Sequence, residues 1–326
     1  MLARVRIRLK EKEAPEEFLY NFLNKVLGID KEDYEKIRKN DGSITVYVRD
    51  PVLIGKIQEI GDKYSSIIEV KIERESVGEL FSRIYTAVKS NVGLLISWGV
   101  AVVVLSILSA LPCLGTLFGF FLNAFLNAFI LHVMSKLRST DYNDKIELEK
   151  AFKDIKFEET FTRFFKSGFG VAIGVFLVNV IFFSVLTVIL LIYANSIPNL
   201  NIVHTNKLAF VLLALVIIFL LWEVYVIPLL FSRVLERGSG NFIKSLKSTL
   251  EMLTPDFVKE SFSGYYVGAG ILWSFLFTVG LTGGVFLSLF VITIPIALLI
   301  FYMLSLEVAF ISLEYIDKKK EIKGVS

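Results

Sequence analysis

Residues 3–9 alternate strictly, with Ala3, Val5, Ile7 and Leu9 on one face and Arg4, Arg6 and Arg8 on the other. That period of two predicts a half-buried strand. A helix is expected next, from Pro15 in its first turn to Gly28 at its end. Phe18, Leu19, Phe22, Leu23 and Val26 form its apolar stripe. Between 34–40 and 43–49 stands Asp41-Gly42, a two-residue hairpin signal, because a type I′ turn needs positive φ at both central positions. A second helix opens at Pro51 and turns Leu53, Ile54, Ile57 and Ile60 inward, and a last strand alternates Ile68, Val70 and Ile72 with Glu69, Lys71 and Glu73. The order βαββαβ over residues 1–75 predicts a small α+β domain of ferredoxin-like pattern.

The pattern then changes. An amphipathic connector at 76–91 places Leu80, Phe81, Ile84, Tyr85 and Val88 on one face. Beyond it lie six apolar runs, uncharged but for Glu223 and Glu307, at 92–111, 114–135, 169–194, 208–231, 265–281 and 285–313. Each has the roughly 17 residues or more that cross a hydrocarbon core. The fold class expected is an α-helical integral membrane protein: a six-helix transmembrane domain at 92–313, the α+β domain before it and a tail at 314–326. Leu111-Pro112-Cys113-Leu114-Gly115 and Thr282-Gly283-Gly284 are breakers suited to tight hairpins between paired spans.

Composition agrees: 54% hydrophobic residues, 21% charged and a mean hydropathy of +0.64 give more apolar surface than a soluble core hides. Charge decides orientation. Eight Lys and Arg lie between spans two and three, five between four and five, four after span six, and essentially Lys207 alone on the other side. The positive-inside rule then puts both termini, the small domain and the long loops in the cytoplasm of a multi-pass inner-membrane protein. The opening MLARVRIRLKEKE is charged and alternating, unlike a signal peptide.

The six spans also read as three copies of one unit, with Lys89-Ser90-Asn91-Val92-Gly93, Lys166-Ser167-Gly168-Phe169-Gly170 and Phe262-Ser263-Gly264-Tyr265-Tyr266 at the three beginnings. Amphipathic stretches precede the second and third: Ile146, Leu148, Ala151, Phe152 and Ile155 share one face, and Phe242, Ile243, Leu246, Leu250 and Leu253 another. Both are expected to be helices at the membrane surface. Three units of the same orientation would surround an axis along the membrane normal.

In that alignment the returning spans match Leu126-Asn127-Ala128-Phe129 with Trp222-Glu223-Val224-Tyr225 and Leu306-Glu307-Val308-Ala309. Asn127, Glu223 and Glu307 precede Lys136, Arg233 and Asp317 by 9 to 10 residues. At about 1.5 Å per residue that is roughly 14 Å into a core about 30 Å thick. Ionisable groups at such depth face a protein interior or a wet path. Glu223, Glu307 and Asn127, with Asn123 one turn away, are therefore the candidate site. The same side chains can also serve as interhelical hydrogen bonds worth about 0.6–2 kcal/mol each, with no transport. Gly115 and Gly119 have the spacing of close helix contacts, and Pro228 and Pro295 that of kinks.

Other chemistry finds little support. One cysteine and two histidines exclude a disulfide framework and thiolate clusters. No GxGxxG, GK[ST], GxSxG or HExxH occurs, so no catalytic, cofactor or metal residue is assigned. Arg4, Arg6, Arg8, Tyr47 and Lys71 form a basic face, but Glu69 and Glu73 dilute it and one aromatic makes no stacking platform, so nucleic acid is disfavoured. The partners read from the sequence are the lipid bilayer, a small solute or cation, and a cytoplasmic protein for residues 1–75. The function expected is binding or transport of a small solute, cation or lipid, with the small domain regulating it or binding a partner. The alternative is a non-transporting scaffold or lipid-interacting assembly factor, and the third a lipid-modifying enzyme.

Overall fold

The computed structural model describes residues 3–9, 20, 21, 23–25, 31, 44–48, 51–64, 67–74, 77–112, 114–196, 202–238, 240–264, 266–290 and 293–324. They divide into two compact units, one of Met1–Phe81 with Ile316–Ser326 and one of Ser82–Tyr315.

In the first unit, β1 (Ala3–Leu9), β2 (Ile44–Val48), α1 (Pro51–Lys63) and β3 (Ile68–Arg74) follow the predicted alternation. The sheet order is β2-β1-β3 with both pairings antiparallel. Val5 and Ile7 are fully buried, as are Leu23, Ile44 and Ile57, so the apolar face of β1 is the core face. Gly61 lets α1 approach β3: a Cβ there would stand 2.7 Å from Val70 Cγ2. The register sets Arg4 opposite Tyr47 and Glu73, and Arg8 opposite Glu69. What the described residues support is a three-stranded sheet and not the four-stranded ferredoxin-like one. The first hairpin strand at 34–40, Asp41-Gly42 and most of the first helix lie outside them, although residues 20, 21 and 23–25 are helical.

The rest is helical. After α2 (Val77–Ser90) come α3 (Val92–Ser109) and α4 (Gly115–Leu137). The side chain of Asn91 caps α3 by accepting from Leu94 N–H at 2.9 Å, and its amide donates to the carbonyls of Phe152 (2.8 Å) and Ile155 (3.2 Å). The first link holds α5 (Lys145–Lys153), capped by Asp144, then a turn at Phe157–Glu159 and a π-helical stretch, Thr160–Phe164, that feeds α6 (Phe165–Ser196). Then come α7 (Ile202–Gly238), α8 (Phe242–Leu250) capped by Asn241, a 3-10 turn at Glu251–Leu253, α9 (Pro255–Ser261), α10 (Val267–Ser288) and α11 (Ile294–Gly324).

Six helical segments are long and apolar enough to cross a membrane: Val92–Ser109, Gly115–Leu137, Phe157–Tyr193, Ala209–Gly238, Val267–Ser288 and Ile294–Asp317. Their outer faces expose Ile96, Leu191, Phe210, Leu221 and Phe275, the reverse of a soluble surface. The chain is a multi-pass α-helical membrane protein.

One expected turn is displaced. α10 runs through Thr282-Gly283-Gly284 to Ser288. Its glycines admit neighbours: a Cβ on Gly280 would stand 2.8 Å from Leu304 Cδ2, and one on Gly284 2.8 Å from Phe301 Cζ. They are contact points with α11, where small residues let helices close up. Pro295 then sits in the first turn of α11, where its missing N–H costs nothing, so it starts the helix and does not kink it. Gly115 is tight, within 3.3 Å of the Ser109 backbone for a Cβ, whereas Gly119 has nothing within 4 Å and is no packing contact.

Helix α8 lies against α6 through its small polar side. Ser245, Ser248 and Thr249 are buried while Ile243 is exposed, and a Cβ on Gly174 would fall 2.5 Å from Thr249 Cβ.

Candidate functional site

Between the six spans lies a cavity of about 710 Å³ with walls from all of them. Three of the four residues singled out from the sequence, Asn123, Asn127 and Glu223, line it. Asn123 and Asn127 are one turn apart on α4 and bonded, Nδ2 of Asn127 donating to Oδ1 of Asn123 at 2.8 Å. Across from them, Glu223 on α7 accepts at 2.8 Å from Nδ2 of Asn179 on α6, which also donates to the Val175 carbonyl at 3.0 Å. The remaining wall is mostly aliphatic and aromatic, with Trp98, Phe231, Trp273, Phe277 and Phe301 as its rings. Trp98 is fully buried, and its indole N–H has no acceptor. Among the described residues of the wall, Glu223 is the one ionisable side chain.

Glu307 is elsewhere. Its neighbours Ser305 and Val308 reach the cavity wall and it does not. The residue is 4% exposed and its Oε2 has no hydrogen-bond partner. The two glutamates therefore do not converge on one chamber.

The backbone beside Glu223 is opened by Pro228, which stands inside α7 and supplies no N–H to the carbonyl four residues back, that of Val224. Trp273 on α10 fills the gap, its Nε1 donating to Val224 O at 2.8 Å. One residue on, Tyr266 donates to Tyr225 O and accepts from Leu229 N–H at 3.4 Å. Gly270 makes room for this, since a Cβ there would stand 2.7 Å from Tyr225 Cδ2. Side chains thus restore what the proline removes, as buried backbone in a membrane requires.

At the charged-loop end the wall is Phe231 on α7 and Met252 on the 3-10 turn. Arg233 ties the segments carrying them: it pairs with Glu251 at 3.3 Å and with Glu260, and it lies 4.8 Å over the Phe257 ring. Tyr315 donates to Glu260, and Arg237 joins Glu251. Removing one member of such a part-buried network would strand the rest.

His132 lies in a different cluster. Fully buried, it sets Nδ1 3.0 Å from Thr160 Oγ1, Nε2 3.5 Å from the Glu159 carboxylate, and its ring 4.8 Å from that of Phe164. Among the described residues no three His, Cys, Asp or Glu side chains gather as a metal site would need. A second hollow of about 640 Å³ runs along the outside of α6, lined by Phe176, Asn179, Val180, Phe183, Ser184 and Thr187. Asn179 therefore touches this groove and, through its bond to Glu223, the central cavity.

Asn179 was not among the residues picked from the sequence. Its signal was present, a carboxamide deep in an apolar run, but it stands on an outgoing span, and the alignment compared returning ones. Comparison of the chain with protein-family models, with curated proteins and with solved structures finds no match.

Proposed function

We infer that the six-span domain binds a small amphiphilic molecule in its central cavity and moves it within or across the membrane. The observation that carries this reading is a cavity of about 710 Å³ whose apolar wall holds Glu223, Asn123 and Asn127 in one place. Ligand sites are hollows of about 300–1,000 Å³, mainly apolar, with a few placed polar groups. Hydrogen-bond glue would need only helix-to-helix bonds. It gives no reason for a hollow around them, in an interior that otherwise fills to high density. Native mass spectrometry of protein extracted from its membrane tests this. Wild type is expected to retain or take up N-phenyl-1-naphthylamine, and Gly119→Phe, which fills open space in the wall, to lose it. Absence of binding to wild type removes the reading.

The orientation that goes with this function has both termini and the charged links in the cytoplasm, on the Lys and Arg distribution. Residues 1–75 would then be a cytoplasmic ferredoxin-like domain with a regulatory or partner-binding role. Support for the fold is a central β1 flanked antiparallel by β2 and β3. A threefold repeat is proposed on similar grounds. Each link opens with a nine-residue helix capped by Asp144 or Asn241. Each also returns a glutamate, Glu159 or Glu260, to a base near the end of the preceding span, Lys136 at 3.7 Å or Arg233.

A second reading, a scaffold that works at the lipid surface, draws on the exposed apolar residues of the links: Ile146, Ile243 and Phe262 are 79%, 70% and 65% exposed. In that case Gly119→Phe would leave function intact, while Ile243→Ser with Phe262→Ser would remove it.

A further inference from the structure

We propose that the ligand of the central cavity is a hydrophobic organic cation and that it reaches the cavity from the lipid, along the groove on α6; this rests on the ligand-binding reading above. The charge preference follows from the wall. It carries one carboxyl, Glu223, and among its described residues no Lys, Arg or His. A carboxylate in an apolar chamber is stabilised by a bound positive charge and repels a bound negative one. The rings of Trp273, Phe277 and Phe301 in the same wall add electron-rich faces, to which cations are attracted and anions are not. Apart from Asn123, Asn127, Ser106 and Ser305, the rest of the wall favours an apolar body. A bare metal ion is a poor match, because one carboxylate, that of Glu223, with two carboxamides and the hydroxyls of Ser106 and Ser305, is a thin replacement for its water shell.

The route follows from Asn179. It lines the outer groove, and its amide holds Glu223 Oε1 at 2.8 Å. This hydrogen bond links a residue of the outer groove to the carboxyl of the cavity wall. A cation arriving along α6 meets Asn179 first, and the carboxylate becomes its counter-charge when the amide lets go.

The test uses two ions of matched shape, tetraphenylphosphonium and tetraphenylborate, and a smaller neutral relative, triphenylphosphine oxide. Binding is measured by titration calorimetry on the full chain in lipid nanodiscs, with empty discs as the blank. Tetraphenylphosphonium is expected to bind at least tenfold more tightly than either of the others. Glu223→Gln, which keeps an acceptor for Asn179, is expected to weaken it tenfold or more, and Glu307→Gln less than twofold. Gly119→Phe is expected to reduce binding of all three. Equal binding of the two ions, or an unchanged affinity in Glu223→Gln, overturns the cation assignment and leaves the cavity reading standing. If none of the three binds, the cavity reading falls with it. For the route, Phe183→Trp and Ser184→Trp narrow the groove. Slower association with unchanged affinity supports entry from lipid, and an unchanged on-rate refutes it.

Discussion

Glu223 and Glu307 hold matching places in their spans and end in different surroundings. α7 is peripheral, with 11% of its apolar window buried, so its inward polar residue meets whatever lies between the helices, and a half-open hollow lies there. α11 is central, with 67% of its window buried, and a residue on it meets protein at almost any angle. Depth in the membrane sets the cost of a carboxyl, and the packing around its helix decides what that carboxyl can do. The same division separates two glycines. Gly119 opens onto free space, while a Cβ on Gly168 would stand 2.5 Å from Ala128 N and run into the Ala124 carbonyl.

The largest effect should come from the glycines. Gly168→Val drives a branched side chain into backbone of α4 and should cost more than about 3 kcal/mol or abolish folded protein, since overpacking against main chain cannot be relieved by a rotamer. Gly119→Ala should lie within about 0.5 kcal/mol of wild type. Thermal unfolding in nanodiscs measures both, and equal losses would mean that the hollow side is not hollow.

Next comes the strap over the proline. Trp273→Phe leaves the Val224 carbonyl without a donor and should cost about 1–3 kcal/mol, the penalty of an unsatisfied buried group. Pro228→Leu restores a backbone N–H to that carbonyl, so the Trp273→Phe cost should shrink in its presence. A double-mutant cycle with no coupling would show that the two do not serve one carbonyl.

The smallest effect separates the glutamates themselves. Glu223→Met forfeits the bond from Asn179 and should destabilise by about 0.6–2 kcal/mol. Glu307→Met removes a buried oxygen that lacks a partner and should be neutral or stabilising by up to about 1 kcal/mol. Loss of stability in Glu307→Met comparable with that of Glu223→Met would erase the distinction.

Spans and cavity residues were legible to different degrees, for physical reasons. Apolar runs announce spans because nothing else tolerates so many uncharged residues in a row. Asn123, Asn127 and Glu223 stood out because polar groups are costly in lipid. What sequence alone could not supply was direction around the helix. Thr282-Gly283-Gly284 looked like a turn, because a glycine such as Gly284 that admits Phe301 and a glycine that breaks a helix are spelled alike. Glu307 looked like Glu223, because a one-dimensional alignment carries depth but not azimuth. Asn179 was overlooked for the complementary reason: its importance lies in a partner 44 residues away.

Asn91 joins two distant stretches of chain, and this has a consequence for how the protein is made. Its oxygen serves Leu94 three residues on, whereas its amide waits for carbonyls 61 and 64 residues later. At about 5–20 residues per second of synthesis, that half of the joint becomes available roughly 3–12 s after the first half. Phe152 and Ile155 follow the end of α4 at Leu137 by 15 and 18 residues, so the completed first hairpin waits about 1–4 s for the link that secures its start. Over that interval it depends on its own helix-to-helix contacts and on whatever insertion machinery still holds it.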